Sequence, residues 1–144
     1  MSDLGFRSAS DLVQAIRAKE VGSRELLDHL LARVEEHNPA VNAVVTLDAE
    51  RACAAADAAD AAMARGEDLG PLHGLPYGVK DIFSTKGVPT TWGAPDFETR
   101  IIDEDAEVVV RLREAGAVLL AKLATGLFAQ NDQWFRGRTN NPWN

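Results

Sequence analysis

The sequence contains a single cysteine, Cys53, among its 144 residues. One cysteine excludes an internal disulfide and any metal site that is built from several thiolates. No apolar stretch is long enough to span a bilayer, because the runs at residues 115–121 and after Arg51 are short and interrupted by charges. The N-terminal residues also lack the apolar core of a signal peptide. We therefore expect no membrane association and a reducing, cytoplasmic environment.

Positive charge is scarce as well. The chain has 15 Lys and Arg residues against 22 Asp and Glu residues, which gives a net charge of −7. This balance argues against a protein that binds nucleic acid directly. Hydrophobic residues make up 46% of the sequence, which is typical of a folded protein. The length suits one domain or a part of a larger one.

Serine is rare and unevenly placed, which bears on nucleophilic chemistry. Four of the five serines lie within the first 23 residues, at predicted helix starts where a capping role explains them. The fifth, Ser84, lies beside a predicted turn. The sequence contains neither a Gly-x-Ser-x-Gly elbow nor a Gly/Ser-rich loop. We therefore expect no serine nucleophile within these 144 residues.

The first 65 residues predict helices joined by one strand. Helical spacing of apolar residues predicts a helix over 8–21, capped by Ser8 or Ser10, and a second over 23–37, capped by Ser23. The Asn38-Pro39 pair is predicted to end the second helix. A strand over 41–47 and a helix over 48–65 follow. Ten alanines among residues 49–64 favour close packing of that last helix on its neighbours.

Residues 66–95 differ in composition from the preceding helices, since they contain six of the eleven glycines and four of the six prolines. Such a segment is typical of loops that carry functional residues on a rigid scaffold. Beyond it we predict a helix over 103–115, a buried strand over 117–122 and a short helix over 125–131. The aromatic, turn-rich end is predicted to contain no closing helix or strand, and we expect the natural chain to continue past it.

Lys80 is the strongest candidate for chemistry. A short strand over 77–80 would carry its side chain toward the interior, where loss of water favours the neutral amine. A neutral amine serves as a general base toward a hydroxyl group. The alternative is a surface lysine that extends its amine into solvent or pairs with Asp81. Gly70, Gly74 and Gly78 precede Lys80 at spacings that do not fit a phosphate-binding loop.

Several segments in the same order resemble the amidase signature family. Similar stretches are residues 105–115, 116–122 and 137–143. The most specific ones read Gly70-Pro71-Leu72-His73-Gly74-Leu75-Pro76-Tyr77-Gly78-Val79-Lys80-Asp81 and Thr85-Lys86-Gly87-Val88-Pro89-Thr90-Thr91. The similarity is loose in the N-terminal helices and tight from residue 70 onward.

The resemblance implies an α/β fold, namely the N-terminal portion of a three-layer α/β/α arrangement with a mixed central sheet. Residues 1–65 would be a helical part and residues 66–144 the start of the catalytic core of an incomplete domain. It also implies a Ser-cisSer-Lys triad that cleaves carboxamides, in which Lys80 is the base and both serines lie beyond this chain. No metal or organic cofactor is implied, and the substrate would be a small-molecule amide. A homo-oligomer is compatible with this family.

The resemblance further places part of the acyl pocket at Phe128, Ala129, Gln130 and Asn131. One departure limits the substrate assignment, because many relatives have Lys-Thr-Asn where this chain has Lys122-Leu123-Ala124. The alternatives are the A subunit of a glutamyl/aspartyl-tRNA amidotransferase and a truncated, non-catalytic remnant. His73 lies in the family-like segment, and we expect it to pack or hydrogen-bond within its loop. Trp134, Trp143 and Phe135 could line a groove, but we expect them to contribute to core packing.

Overall fold

The computed structural model describes residues 4–143, in which helices and strands are interspersed along the chain. The α-helices are α1 (Ala9–Arg17), α2 (Ser23–Val41), α3 (Ala49–Ala64) and α4 (Glu107–Glu114). The strands are β1 (Val44–Leu47), β2 (Pro76–Lys80), β3 (Val118–Leu123), β4 (Gln133–Trp134) and β5 (Gly137–Arg138). Short 3₁₀ helices span Leu4–Phe6, Pro95–Phe97 and Leu127–Ala129.

A three-stranded sheet in the order β1-β3-β2 organises the fold. Strand β1 runs antiparallel to β3, with Leu47 opposite Ala121. Strand β2 runs parallel to β3, with Val79 opposite Lys122. The sheet is therefore mixed, and the predicted α/β class with a mixed sheet is confirmed.

The alanine-rich helix α3 packs against α2 and against strand β3. Ala52, Ala56 and Ala59 recur at helical spacing and are almost fully buried. Ala52 and Ala56 belong to one apolar cluster with Leu27 of α2 and with residues of β3. Because alanine side chains are small, the helix backbone approaches its neighbours closely, as the composition predicts.

The N-termini of the first two helices are capped in different ways. Ser8 caps α1 as predicted, since its hydroxyl accepts a hydrogen bond from the Asp11 N–H at 3.1 Å. Ser23 does not cap α2, because it is the first helical residue and its side chain is buried. The carboxylate of Asp60 in α3 accepts the Ser23 N–H at 2.7 Å and the Arg24 N–H at 3.0 Å instead. A side chain distant in sequence thus replaces the predicted local cap.

Helix α2 continues through Pro39 to Val41, so the predicted break at Asn38-Pro39 is wrong. Proline near the last turn removes only one backbone donor from the helix. The chain leaves the helix at Asn42, which adopts a left-handed conformation. The side-chain oxygen of Asn38 accepts the N–H groups of Ala43 and Val44, both at 2.8 Å, and so fixes the entry into β1.

The segment of residues 133–143 departs from prediction in its strands and in one of its tryptophans. Strands β4 and β5 pair as a short antiparallel hairpin, which contradicts the expectation of no strand in this part. Trp134 of β4 packs against Val45 and Ala124, so its predicted role in the core is confirmed. Trp143, by contrast, is 90% exposed. Within residues 4–143, none of the helices combines the length and the apolarity that crossing a bilayer requires.

Candidate active site

Lys80 is the last residue of β2 and lies at the carboxyl end of the strand. Its side chain is exposed, whereas those of Val79 and Asp81 on either side are buried. The Nζ atom donates a hydrogen bond to the carbonyl oxygen of Ala124 at 2.7 Å. The expectation that the strand carries Lys80 into the interior is therefore wrong for this chain. Side chains alternate along a strand, and the inward positions belong to the two neighbours of Lys80.

Asp81 does not pair with Lys80, so that part of the alternative is wrong, whereas the exposed side chain of Lys80 agrees with the other part, a surface lysine. The Asp81 carboxylate is fully buried, and its Oδ1 lies 3.1 Å from Nζ of Lys122 in β3. Its Oδ2 accepts the N–H of Thr91 at 3.2 Å and also the hydroxyl of Thr91. Asp81 is thus the centre of a buried polar cluster that comprises Asp81, Lys122, Thr90 and Thr91.

Lys122 is the buried lysine of this structure, and sequence reasoning did not single it out. Its Nζ donates to the Thr90 hydroxyl oxygen at 2.8 Å and to the Pro89 carbonyl at 3.2 Å. Burial lowers the pKa of Lys122, while the Asp81 carboxylate acts in the opposite direction. One signal was present in the sequence: Lys122 lies in a strand that was predicted to be buried, where a lysine needs a charged partner.

The loop from Asp81 to Gly93 returns to the end of β2. The Trp92 N–H donates to the Asp81 carbonyl at 3.1 Å, and the Gly93 N–H donates to the Thr91 hydroxyl oxygen at 3.1 Å. Gly93 has a φ of +72°, and a Cβ atom there would lie 2.7 Å from the Thr125 carbonyl oxygen. Only glycine permits this close approach of the loop to the segment that follows β3.

The predicted pocket residues Phe128, Ala129, Gln130 and Asn131 lie together on one exposed turn. Three of them have left-handed backbones, with φ values of 50° for Phe128, 65° for Ala129 and 60° for Asn131. Such conformations are uncommon for residues other than glycine and concentrate at functional sites. The predicted short helix over 125–131 is reduced to a single 3₁₀ turn, because this backbone is not helical.

The four residues do not share one pocket wall. Gln130 and Asn131 border a depression of about 470 Å³, together with side chains from the β4–β5 hairpin region. The Phe128 ring instead packs edge-on against Trp92 and Phe97. The Phe128 N–H donates to the Trp92 carbonyl at 2.8 Å. Phe128 therefore belongs to an aromatic cluster next to the depression.

This aromatic cluster, formed by Trp92, Phe97 and Phe128, was not predicted from the sequence. The guanidinium carbon of Arg100 lies 4.1 Å from the ring centres of both Trp92 and Phe97. Arg100 also donates to the Thr90 carbonyl at 2.9 Å. The rings are partly exposed, and they present an apolar surface that is joined to the Lys80 region by the Trp92–Asp81 hydrogen bond.

His73 has a structural role, as expected. It is fully buried, its Nδ1 lies 2.9 Å from the Leu69 nitrogen, and its Nε2 lies 2.9 Å from the Ala59 carbonyl oxygen. The Leu69 N–H requires Nδ1 as an acceptor, which leaves Nε2–H to donate to Ala59. Both ring nitrogens are therefore occupied by backbone groups.

The serines that the structure describes do not form a catalytic hydrogen bond with Lys80. Among the described residues, no serine hydroxyl forms a hydrogen bond with Lys80 Nζ. Ser84, the nearest in sequence, contributes its carbonyl oxygen to the Ala106 N–H. Ser10 lies within α1, and Ser2 is outside the described residues. The site thus contains a candidate base and a candidate pocket without a nucleophile.

Comparisons with known proteins show the family and support the fold. The amidase family model matches residues 25–144. The A subunit of the glutamyl-tRNA(Gln) amidotransferase of Halorhodospira halophila is 46% identical over 140 residues, which cover 95% of this chain and 29% of that protein. The native peptide amidase of Stenotrophomonas maltophilia superposes with a TM-score of 0.90 at 30% identity, over 96% of this chain and 30% of that chain.

A further solved structure comes from a vestigial protein complex that reveals the evolutionary origins of an s-triazine catabolic enzyme. It superposes with a TM-score of 0.90 at 36% identity, over 96% of this chain and 31% of that chain. The chain therefore spans about 30% of the length of the relatives that it matches.

Proposed function

The chain belongs to the amidase signature family, and from this premise we propose that it is the N-terminal part of an enzyme that cleaves a small-molecule carboxamide. In this proposal residues 1–65 are a helical part and residues 66–144 begin the catalytic core. Lys80 is the base of a Ser-cisSer-Lys triad whose two serines follow Asn144. The products are a carboxylic acid and ammonia or an amine.

The observation that supports this role is how Lys80 is held. Its Nζ is anchored by a single backbone carbonyl at a strand end, and within residues 4–143 it forms no ion pair. The carboxylate beside it in sequence is engaged by Lys122 instead. Among the described residues, no carboxylate therefore competes with a serine hydroxyl for contact with Lys80 Nζ.

The proposed chemistry is a proton relay followed by acyl transfer. In this proposal Lys80 Nζ accepts a proton from the bridging serine, which in turn accepts the proton of the nucleophilic serine. That serine oxygen attacks the amide carbon, and the C–N bond breaks as the nitrogen takes up the proton that Lys80 had accepted, returned through the bridging serine. Water then hydrolyses the acyl-serine. Every step uses side chains and water alone.

A second candidate is the A subunit of a tRNA-dependent amidotransferase. It is favoured by the 46% identity to the Halorhodospira halophila protein of that name. In this case the amide would be glutamine, and the ammonia would pass to a partner protein. The departure at Lys122-Leu123-Ala124 and the exposed aromatic cluster support an apolar amide more than glutamine.

Two chimeras test the proposal. Residues 1–144 replace the matching N-terminal segment of the Stenotrophomonas maltophilia peptide amidase in one, and that of the Halorhodospira halophila amidotransferase protein in the other. We expect the chain alone to resist a fluorophosphonate probe for activated serines, and the peptide-amidase chimera to react with the probe and release ammonia from a peptide amide.

The other outcomes separate the alternatives. If only the Halorhodospira chimera is active, on glutamine, the amidotransferase assignment replaces the amidase. If both chimeras fold but neither reacts with the probe nor releases ammonia, the chain is a non-catalytic remnant. Stoichiometric labelling of the chain alone would contradict the assignment of the nucleophile to residues beyond Asn144.

A further inference from the structure

The buried polar cluster of Asp81, Lys122, Thr90 and Thr91 joins the two parts of the candidate site. On the strand side, the N–H of Asp81 donates to the Leu123 carbonyl at 2.9 Å, which fixes the peptide unit between Lys80 and Asp81 against β3. The next residue of that strand end, Ala124, supplies the carbonyl that holds Lys80 Nζ. Lys122 of β3 anchors the Asp81 carboxylate on the opposite, buried side.

On the loop side, the same carboxylate holds the segment that supports the pocket turn. Asp81 Oδ2 binds both the N–H and the hydroxyl of Thr91. The Thr91 hydroxyl oxygen accepts the Gly93 N–H, and the Trp92 carbonyl accepts the Phe128 N–H. A continuous series of direct contacts thus runs from Lys80 through Asp81 and Thr91 to Phe128.

A purely structural role does not require this arrangement. Replacing a buried ion pair with apolar residues of similar volume is often neutral or stabilising, so burial of the pair is weak evidence for stability alone. A carboxylate with several donors fixes the direction of its backbone more closely than apolar packing does. Because Asp81 directly follows Lys80, a displacement of the Asp81 main chain also moves the main chain that carries the amine.

We propose that Asp81 and Lys122 are positioning residues that set the location of Lys80 Nζ relative to the Phe128–Asn131 turn. The catalytic part of this inference rests on the proposed function, whereas the geometric part does not. The cluster itself transfers no proton. It fixes the position of the proposed base relative to the proposed pocket.

The first experiment uses this chain and requires no activity. The chain contains four lysines, so selective labelling of lysine with ¹³C at Cε gives four assignable NMR signals. We expect Asp81→Asn to shift the Lys80 signal, although Lys80 does not contact that carboxylate. The Phe128 amide should also exchange with solvent at least about tenfold faster. In the control Asp103→Asn, only Lys86 should shift, since Asp103 pairs with Lys86 at the surface.

A second variant covers the case in which Asp81→Asn does not fold. Thr91→Val removes the hydroxyl that links Asp81 to Gly93 but preserves side-chain shape and the Asp81–Lys122 pair. We expect Thr91→Val to accelerate exchange of the Phe128 amide and to shift Lys80 in the same direction. If Lys122 alone responds to Asp81→Asn, or if a folded Thr91→Val leaves both Lys80 and Phe128 unchanged, the positioning role is overturned.

The second experiment measures catalysis in the active chimera. Misplacement of a catalytic group by about 1 Å can reduce the rate by about 100-fold, so we expect Asp81→Asn to lower kcat 10- to 100-fold per folded enzyme and to change KM less than about threefold. An unchanged kcat per folded molecule would show that the cluster is a structural ion pair with no positioning role in catalysis. If the unmodified chimera is inactive, the proposed function fails, and the NMR result still decides the geometric part.

Discussion

Lys122 carries an ammonium group in the interior, where Asp81 is its only carboxylate partner among the described residues. Lys122→Ala would leave that carboxylate buried and unpaired, which typically costs about 3–5 kcal/mol of the free energy of unfolding. Lys86→Ala is the matched control, because Lys86 forms an exposed pair and its loss should cost no more than about 0.5 kcal/mol. Urea unfolding followed by circular dichroism measures both values. Equal losses for the two variants would contradict the buried pair.

Lys80 and Asp81 show which features of the site a local motif predicts and which it does not. The motif around Lys80 identifies that lysine because the spacing of Gly, Pro, Lys and Asp is specific. The same motif does not reveal that Lys80 faces outward, or that Asp81 pairs with a lysine that lies 41 positions later in the numbering. Burial of these side chains follows from the parallel pairing of β2 with β3, which brings distant residues together.

The start of α4 shows how a tertiary contact shifts an element boundary. Acidic residues at 103–107 predict a helix from residue 103, but α4 begins at Glu107. The Asp105 carboxylate accepts the Lys86 N–H at 2.7 Å and also pairs with Arg113. The carboxylate therefore joins the preceding loop to the last turn of the helix. A purely local pattern could not predict this, because Lys86 lies outside the window of the helix.

The contacts of Asp105 also make the stability of this part of the fold sensitive to acid. Burial alone would raise the pKa of Asp105, but hydrogen bonds from Arg113 and from the Lys86 N–H outweigh that effect and lower it. The stabilising contribution is therefore fully present above about pH 3.9, the ordinary pKa of an unfolded aspartate, and is lost as the pH falls through the lower folded value.

We therefore expect Asp105→Asn to lower the free energy of unfolding at pH 7 and to flatten its decline below about pH 4. Thermal unfolding between pH 2.5 and 7 measures the difference. Asp103→Asn, at a side chain that is 90% exposed, is the control and should follow the unmodified chain. A variant profile parallel to that of the unmodified chain would show that Asp105 does not contribute to the acid sensitivity.

At the scale of the whole molecule, strand β2 has one partner only. Within residues 4–143 it pairs with β3, and its other edge is unpaired. The family resemblance implied both the α/β class and a mixed sheet. The order β1-β3-β2 does not follow from local patterns, because it places the strand of residues 118–123 between two strands that precede it in the chain.

This open edge and the exposed apolar side chains predict association of the isolated chain. Ile82, Phe83 and Phe128 are each more than a third exposed and lie near the carboxyl end of β2 or on the adjoining turn. Unpaired strand edges and apolar patches promote association. We expect light scattering to give a mass above that of one chain, and a hydrophobic dye to bind. A monomer that melts cooperatively and binds no dye would contradict this expectation.

The central claim is that Lys80 is the base of an amide-cleaving enzyme, and kcat of the active chimera tests it most directly. Loss of a general base typically lowers the rate by about 10²–10⁴-fold, so Lys80→Ala should lower kcat by that factor. Lys80→Arg should lower kcat at least as much, because a guanidinium stays charged and cannot accept a proton. Lys86→Ala, with its exposed side chain, should retain nearly full kcat. If folded Lys80→Ala, checked by circular dichroism, retains nearly the kcat of the unmodified chimera, then Lys80 is a surface lysine and the assignment of the base is wrong.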